Sequence, residues 1–470
     1  MSSVKKNYIY NVLYEILIIV LPLITSPYIS RVLGPENIGI YTYQYSIVSY
    51  FVMFARLGIV NYGSRTVAAA KSDEERSKVF SNTFAIQGTL AFFTTVLYIG
   101  YVVFGDLEYS TMGLIMLLYL LTAALDVNWF FFGIEQFRIT VVRNTVIKLI
   151  STALLFMLIK QPDDLNIYGI ILGGSNLLGQ LATWPYVGKY IKIVKPEIRE
   201  VRRHFYPIVV LFVPQIAVSL YKTMDKIMIG ALCSKSQLGY YEYASMIVNL
   251  PLGFITSLGT VMIPRISSLM KDGDNKTSQI YTHNSILFAT GLSIAFAFGL
   301  SGIAPVFVPF YFGEEFWPTT ELLIGLAVTL PFLAWANVVR TQYLIPAKRD
   351  KEYIASLFSG AGINIVINML LIPRYQAWGA VIGTIAAEVT VCITQTWTAR
   401  RYLPIGVYIK ECSGFIAIGA VMGATVSALG LLGMSVVWCI LLQISVGAAV
   451  FLSLAVIYVK YVLKLQLPKM

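Results

Sequence analysis

Fourteen long apolar runs, joined by loops too short to fold alone, constrain this chain more than any motif in it. They lie near residues 8–33, 38–62, 83–104, 112–134, 141–160, 166–188, 205–231, 239–263, 285–311, 319–345, 354–373, 377–399, 413–433 and 436–459. About 20 apolar residues in a helix cross the hydrocarbon core of a bilayer. Backbone facing lipid must satisfy its own hydrogen bonds, which leaves helices or closed barrels. Most runs carry flanking Tyr or Trp, as interfacial belts do. The expectation is an all-α integral membrane protein of about 14 transmembrane helices.

Composition agrees. Of 470 residues, 57% are hydrophobic and 13% charged, against about 25% charge in a soluble domain. Disorder needs the opposite balance. Four cysteines, Cys233, Cys392, Cys412 and Cys439, form no C-x-x-C pair and no disulfide framework. The net charge of +11 is spread over loops rather than gathered on a basic domain, so nucleic acid is excluded as a partner. The first apolar run follows Lys5 and Lys6. It is too long for a signal-peptide core and lacks a small-residue cleavage site, so it reads as a retained helix.

Lys and Arg set the orientation. With the N-terminus in the cytoplasm, 26 of the 35 cations fall in inside segments and three (Lys160, Lys235, Arg374) in outside loops. An even helix number puts both termini in the cytoplasm. The chain also resembles itself at an offset near 200. Gly39, Tyr41, Tyr43, Ile47 and Val48 recur as Gly239, Tyr241, Tyr243, Ile247 and Val248. Tyr168-Gly169-x-x-x-Gly173 recurs as Trp378-Gly379-x-x-x-Gly383, a small-residue face suited to close helix packing. Six runs separate equivalent positions, and an even number preserves orientation. Two parallel six-helix repeats follow. The expected organisation is an N-lobe over 1–188, a cytoplasmic linker over 189–204, a C-lobe over 205–399, and two further helices with a tail over 400–470.

Six cations stay inside the runs: Arg31, Arg56, Lys148, Lys222, Lys226 and Arg340. The acids there are Glu15, Asp126, Asp225, Glu242 and Glu388, with Glu321 at an entrance. Each costs about 2.5–3.5 kcal/mol at a helix centre on insertion scales, so each should face a cavity or a partner. Arg31, Arg56, Lys222, Lys226 and Arg340 occur at several depths and would make a ladder for an anion. Arg31, Arg56, Arg340 and Glu242 are also near enough to span ends to snorkel. Lys222 and Asp225 are i,i+3 neighbours that either neutralise each other or serve separately, and Lys226 is then left in excess. Glu15, Asp126, Asp225 and Glu388 are candidates for coupling to an ion or for pairing with a cation.

Pro22 and Pro27 in the first run, and Pro207 and Pro214 in the seventh, interrupt equivalent helices. Paired breaks in corresponding helices point to a substrate path, or are static kinks. Catalytic signals are absent. The two histidines, His204 and His283, are loop-side, and there is no P-loop, G-x-S-x-G or H-E-x-x-H. No metal site or catalytic residue is expected, and the chain is not read as an enzyme. A polymerase-like or acyltransferase-like enzyme needs a large reactive outside loop, which the short loops do not supply.

The segment Asn7-Tyr8-Ile9-Tyr10-Asn11-Val12-Leu13-Tyr14-Glu15, running on to Pro22-Leu23-Ile24-Thr25-Ser26-Pro27-Tyr28-Ile29-Ser30-Arg31-Val32-Leu33-Gly34, resembles the opening of Wzx-type polysaccharide repeat-unit flippases. These belong to the MOP superfamily, with the MATE exporters and the lipid II flippase MurJ. Trp129-Phe130-Phe131-Phe132-Gly133-Ile134-Glu135-Gln136-Phe137 and Met224-Asp225-Lys226-Ile227-Met228-Ile229-Gly230 match as well. The resemblance implies a V-shaped two-lobed bundle with a central cationic cavity that works by alternating access. It implies translocation of undecaprenyl-diphosphate-linked oligosaccharide across the bacterial cytoplasmic membrane, for capsular or other surface polysaccharide. It carries over Glu15, Arg31, Asp225 and Lys226 as functional positions. Implied partners are the lipid-linked glycan, the bilayer, and the polysaccharide polymerase and export machinery. No cofactor is expected beyond a coupling ion, Na+ or H+. A MATE-like exporter of small molecules, and a carrier of lipid II or teichoic-type precursors, stay open as alternatives.

Overall fold

The computed structural model describes residues 3–105 and 108–464, with the side chains of 3–16, 214, 217, 221 and 222 outside the description. The described residues are helical, without a strand. The chain divides into two compact units, Met1–Ser219 and Leu220–Met470.

The first unit begins with α1 (Ser3–Arg56), α2 (Ile59–Ala69) and α3 (Asp73–Phe104). Short helices follow, α4 (Ser110–Ile115), α5 (Leu117–Ala124) and α6 (Asn128–Gly133), then α7 (Phe137–Leu158), α8 (Leu165–Leu181) and α9 (Trp184–Val187). Helix α10 (Ile198–Leu232) runs on into the second unit. That unit holds α11 (Lys235–Lys271), α12 (Asn275–Phe312), α13 (Pro318–Ala327) and α14 (Thr329–Val339). A π-helical turn, Arg340–Leu344, extends α14. Helices α15 (Asp350–Tyr375), α16 (Ala377–Ala399), α17 (Ile405–Gly430) and α18 (Val436–Ile457) complete it.

Eleven described helices are long and apolar enough to cross a bilayer, twelve if the bent pair 198–213 and 218–232 is one span. The expected fourteen departs from this number at two places. Residues 17–69 count as one candidate span, whereas the apolar pattern divides them. The division is real in the backbone: Gly34 inside α1 takes φ 73° and ψ 171°, a region open almost only to glycine. The other place is α8, whose 17 residues span about 26 Å, short of a hydrocarbon core of about 30 Å.

The prolines do not end α1. It stays helical through Pro22 and Pro27. Carbonyls around them accept from side chains: Ser26 Oγ donates to the Pro22 carbonyl at 2.5 Å and Thr25 Oγ1 to that of Leu21 at 3.1 Å. The break in the helix falls at Gly34 instead.

In the first unit, α1 packs along α3, α5 and α7. A second core gathers Phe80, Trp129, Phe130 and Phe131, all at most 1% exposed. Three consecutive aromatic residues are buried because α6 is only six residues long and is wrapped by α2, α3 and α9. The outer turn before α8 is pinned by Asp164, whose carboxylate accepts the N–H of Lys160 at 2.7 Å and of Gln161 at 3.0 Å. Those two bonds hold its pKa below the ordinary aspartate value. In the second unit, α15 lies along α16 and α12 along α17. Helices α17 and α18 share one core with α12 and α14, through Phe415, Met422, Phe451 and Trp335. They are integral to that unit's packing.

Replacing Gly34 by Val forces a β-branched residue into its glycine-only backbone region. We expect a loss of about 1–3 kcal/mol, read as a lower melting temperature of the detergent-purified chain.

Candidate functional site

Arg56 closes α1, and Asp126 lies in the turn between α5 and α6. Their side chains meet, Arg56 Nη2 to Asp126 Oδ2 at 3.0 Å. The turn that presents Asp126 is built by polar groups in an apolar setting. Gln87 on α3 donates to the carbonyls of Ala123 at 2.7 Å and Asp126 at 2.8 Å. It accepts from Trp129 Nε1 at 3.0 Å. The second carboxylate oxygen of Asp126 accepts the Asn128 N–H at 3.0 Å. Asn128 Oδ1 in turn accepts from Arg143 Nη2 at 3.1 Å. The side chain of Asp126 is 7% exposed and that of Arg56 31%. The carboxylate is therefore held, and the guanidinium is its accessible end.

In the second unit the charges of α10 meet α11. The two helices fold back at Cys233–Ser234, so positions equally far from that turn face each other. Lys226 Nζ lies 2.6 Å from Glu242 Oε2. Lys226 is thus not left in excess; Glu242, expected to reach for the interface, neutralises it. Asp225 points the other way, 2% exposed. Its Oδ2 accepts from Tyr241 Oη at 2.9 Å and Thr384 Oγ1 at 2.7 Å, and its Oδ1 from Asn368 Nδ2 at 2.6 Å. Thr384 has one proton to give, and the Ala380 carbonyl competes for it at 2.9 Å. Asn368 Oδ1 is buried without a hydrogen-bond partner. Helix α16 comes this close because Gly383 has no side chain: a Cβ there would lie 2.0 Å from Asn368 Oδ1. Among the described residues, the result is an acid surrounded by neutral oxygen and amide groups.

Arg340 opens the π-helical turn. Its Nη2 donates to Asn337 Oδ1 at 2.6 Å, and the guanidinium lies 5.9 Å from the Tyr353 ring. Arg31 donates to the Pro27 carbonyl at 3.0 Å. Glu388 is 4% exposed on α16. Lys148 is part-exposed on α7. The side chains of Glu15 and Lys222 lie outside the described residues, and with them the expected Lys222–Asp225 contact. His204, read as loop-side, is buried in α10 and bonded to Tyr62. His283 pairs with Glu411. Among the described residues no group of His, Cys, Asp and Glu could hold a metal ion.

Two expected residues are joined with each other within the first unit, Arg56 and Asp126. Tyr241, Asn364, Asn368 and Thr384 around Asp225, and Asn337 beside Arg340, are absent from the expected set. Asn364 and Asn368 were findable, since two amides four residues apart in an apolar run mark one polar helix face.

Apolar helices that keep paired charges within their spans define a multi-pass membrane protein. The chain belongs to the polysaccharide biosynthesis protein family, whose model matches residues 4–270, in agreement with the resemblance to Wzx-type flippases. A protein of Escherichia coli (strain K12) named for O-antigen transport is 25% identical over 400 residues, 82% of this chain and 94% of its own. The structure of the lipid II flippase MurJ in an inward closed conformation superposes with a TM-score of 0.75 at 15% identity, covering 97% of this chain and all of that one. An inward-facing multidrug resistance MATE transporter of the MOP superfamily gives 0.59 at 11% identity, over 83% of this chain and 99% of that one. Both are likenesses of fold. The kinship is with transporters and flippases, not with catalysts.

Removing Arg56 leaves the 7% exposed Asp126 carboxylate uncompensated, whereas removing Asp126 leaves a cation that is partly solvated already. Arg56→Ala and Asp126→Ala should each lower the yield of folded protein by fluorescence-detected size exclusion, whereas the double variant should recover part of it. Equal and additive losses would show the two side chains to be energetically independent.

Proposed function

We propose that this chain carries undecaprenyl-diphosphate-linked oligosaccharide repeat units from the cytoplasmic to the outer leaflet of the bacterial cytoplasmic membrane, supplying surface polysaccharide synthesis. The observation that carries this reading is the family match over residues 4–270, joined to charged side chains inside the spans. A diphosphate needs cations in low dielectric, and Arg and Lys hold phosphate oxygens there. Arg31, Arg56, Lys222, Lys226 and Arg340 are the side chains we assign to that task. The lipid tail stays in the bilayer while the sugars cross, by alternating access. Both termini face the cytoplasm in this reading, where the cations concentrate, and the polymerase and export machinery take the product. Lobe boundaries near 188 and 205 are part of the same proposal.

The energy source we assign is a monovalent cation, Na+ or H+, at Asp225. Its carboxylate, Thr384 Oγ1 and the unpartnered Asn368 Oδ1 are hard oxygen ligands, the donor type small hard cations take. Bound there, the cation would supply a charge whose movement across the membrane performs work. Glu388 and Asp126 are further acids of the proposed coupling set; Glu15 is retained from the resemblance.

The test is to delete the gene and locate the lipid-linked glycan. Accumulation on the cytoplasmic leaflet, reversed by the wild-type chain, is the expected result. Glycan already outside but unpolymerised would indicate an enzyme. No trapped glycan and new drug sensitivity would indicate a MATE-like exporter. In the deletion background Asp225→Asn should express normally yet transport without dependence on the cation gradient. Lys226→Ala should lower polymer output at unchanged protein level.

A further inference from the structure

The intramembrane cations of this chain are not equivalent. Arg56 and Lys226 each face a carboxylate, at 3.0 Å and 2.6 Å. An incoming anion must displace that carboxylate. Arg340 is held differently. Its partners among the described residues are neutral, Asn337 Oδ1 at 2.6 Å and Tyr353 Oη at 3.5 Å. Its charge is oriented but not cancelled.

The same corner has more donors than acceptors. Arg340 Nε and Asn337 Nδ2 are both buried and unbonded. The Asn337 amide cannot turn over to change this. Its oxygen must face the guanidinium, which only donates, so its nitrogen stays beside it as a second donor. Gly259 on α11 leaves room for that amide: a Cβ there would lie 2.7 Å from Asn337 Nδ2 and 2.9 Å from Thr341 Oγ1. Arg340 and Asn337 meet as i,i+3 neighbours where α14 passes into the π-helical turn, and single widened turns of this kind recur at functional sites. The next loop adds Lys348 and Lys351, both exposed, while Arg349 is paired with Glu352 at 2.8 Å.

We propose that Arg340, positioned by Asn337 and Tyr353 at this turn, is an anion site for phosphate oxygens, and that Asn337 is its positioning residue. The inference rests on the flippase reading for its cargo, a polyprenyl diphosphate. One guanidinium N–H edge and the Asn337 amide N–H converge on the same phosphate, a charge-assisted arrangement. Asn337 sets the specificity by being neutral. A carboxylate in its place would keep the hydrogen bond to Arg340 and cancel the charge the anion needs.

That difference gives a test with opposite signs. The full-length chain in nanodiscs is titrated with geranylgeranyl diphosphate, with inorganic pyrophosphate, and with neutral geranylgeraniol, following the ligand-induced rise in melting temperature. The wild type should respond to both diphosphates and not to the alcohol. Asn337→Asp should weaken diphosphate binding about tenfold or more, Asn337→Ala less, and Arg340→Gln at least as much as Asn337→Asp. A residue that merely holds the fold predicts the reverse order, since Asp keeps the bond that Ala removes. Unliganded melting temperatures separate the two: Asn337→Asp should be no less stable than Asn337→Ala. Wild-type affinity in Asn337→Asp, or a larger loss in Asn337→Ala, overturns the proposal. If Asn337→Asp keeps full affinity while the deletion strain traps glycan, this site falls and the flippase reading stands. If Asn337→Asp loses affinity and no glycan is trapped, the anion site stands and the cargo is another phosphate.

Discussion

A charge in hydrocarbon needs a partner, and much of this structure follows from how each is found. Desolvating an ion costs several kcal/mol even after relaxation. The chain nevertheless keeps cations and acids within long apolar helices. Each described pair ties two segments that apolar packing alone would leave free to slide. Arg56 ties the end of α1 to the turn before α6, and Lys226 ties α10 to α11. Lipid tails are as apolar as Leu, so such contacts carry specificity that a hydrophobic effect cannot supply between membrane helices.

The partners differ in kind, and the difference decides what each charge can do. A carboxylate facing a cation cancels its charge until something displaces it. A charge among neutral donors or acceptors is oriented and still available. Asp225 has the second arrangement, among Tyr241, Thr384 and Asn368. Arg340 has it too, between Asn337 and Tyr353. Among the described residues, the second unit therefore pairs an acid, Asp225, with a base, Arg340, of this available kind.

The sequence shows the class of fold because an apolar run of about 20 residues has few other solutions. It shows that charges in such runs need partners, and it names most of them. Which partner each takes is legible only when the chain path is short. Arg340 and Asn337 are i,i+3 neighbours on one helix. Lys226 and Glu242 lie at matched distances on either side of one turn. Arg56 and Asp126 are 70 positions apart, and their meeting depends on Gln87 and Trp129 shaping the turn at Asp126. The set around Asp225 draws on α10, α11, α15 and α16 at once. No local pattern encodes a four-helix convergence. The signature it leaves is indirect: amides at 364 and 368, and a glycine at 383 where a side chain would collide.

Helix α15 touches both available charges. Tyr353 near its start lies against Arg340, and Asn368 beyond its middle bonds Asp225. Fifteen residues separate the two contacts, about 22 Å along a helix. A rigid helix displaced at one contact must move at the other, so a cation drawn to Asp225 and an anion drawn to Arg340 act on one element. In the reading proposed above, that is where the driving ion and the diphosphate exchange free energy. Whatever the cation does to diphosphate affinity, the diphosphate does to cation affinity by the same factor. A helix carrying only neutral side chains at its two contacts is suited to this role. It can shift without breaking an ion pair, so the barrier between its positions is not raised by a charge left alone in the membrane.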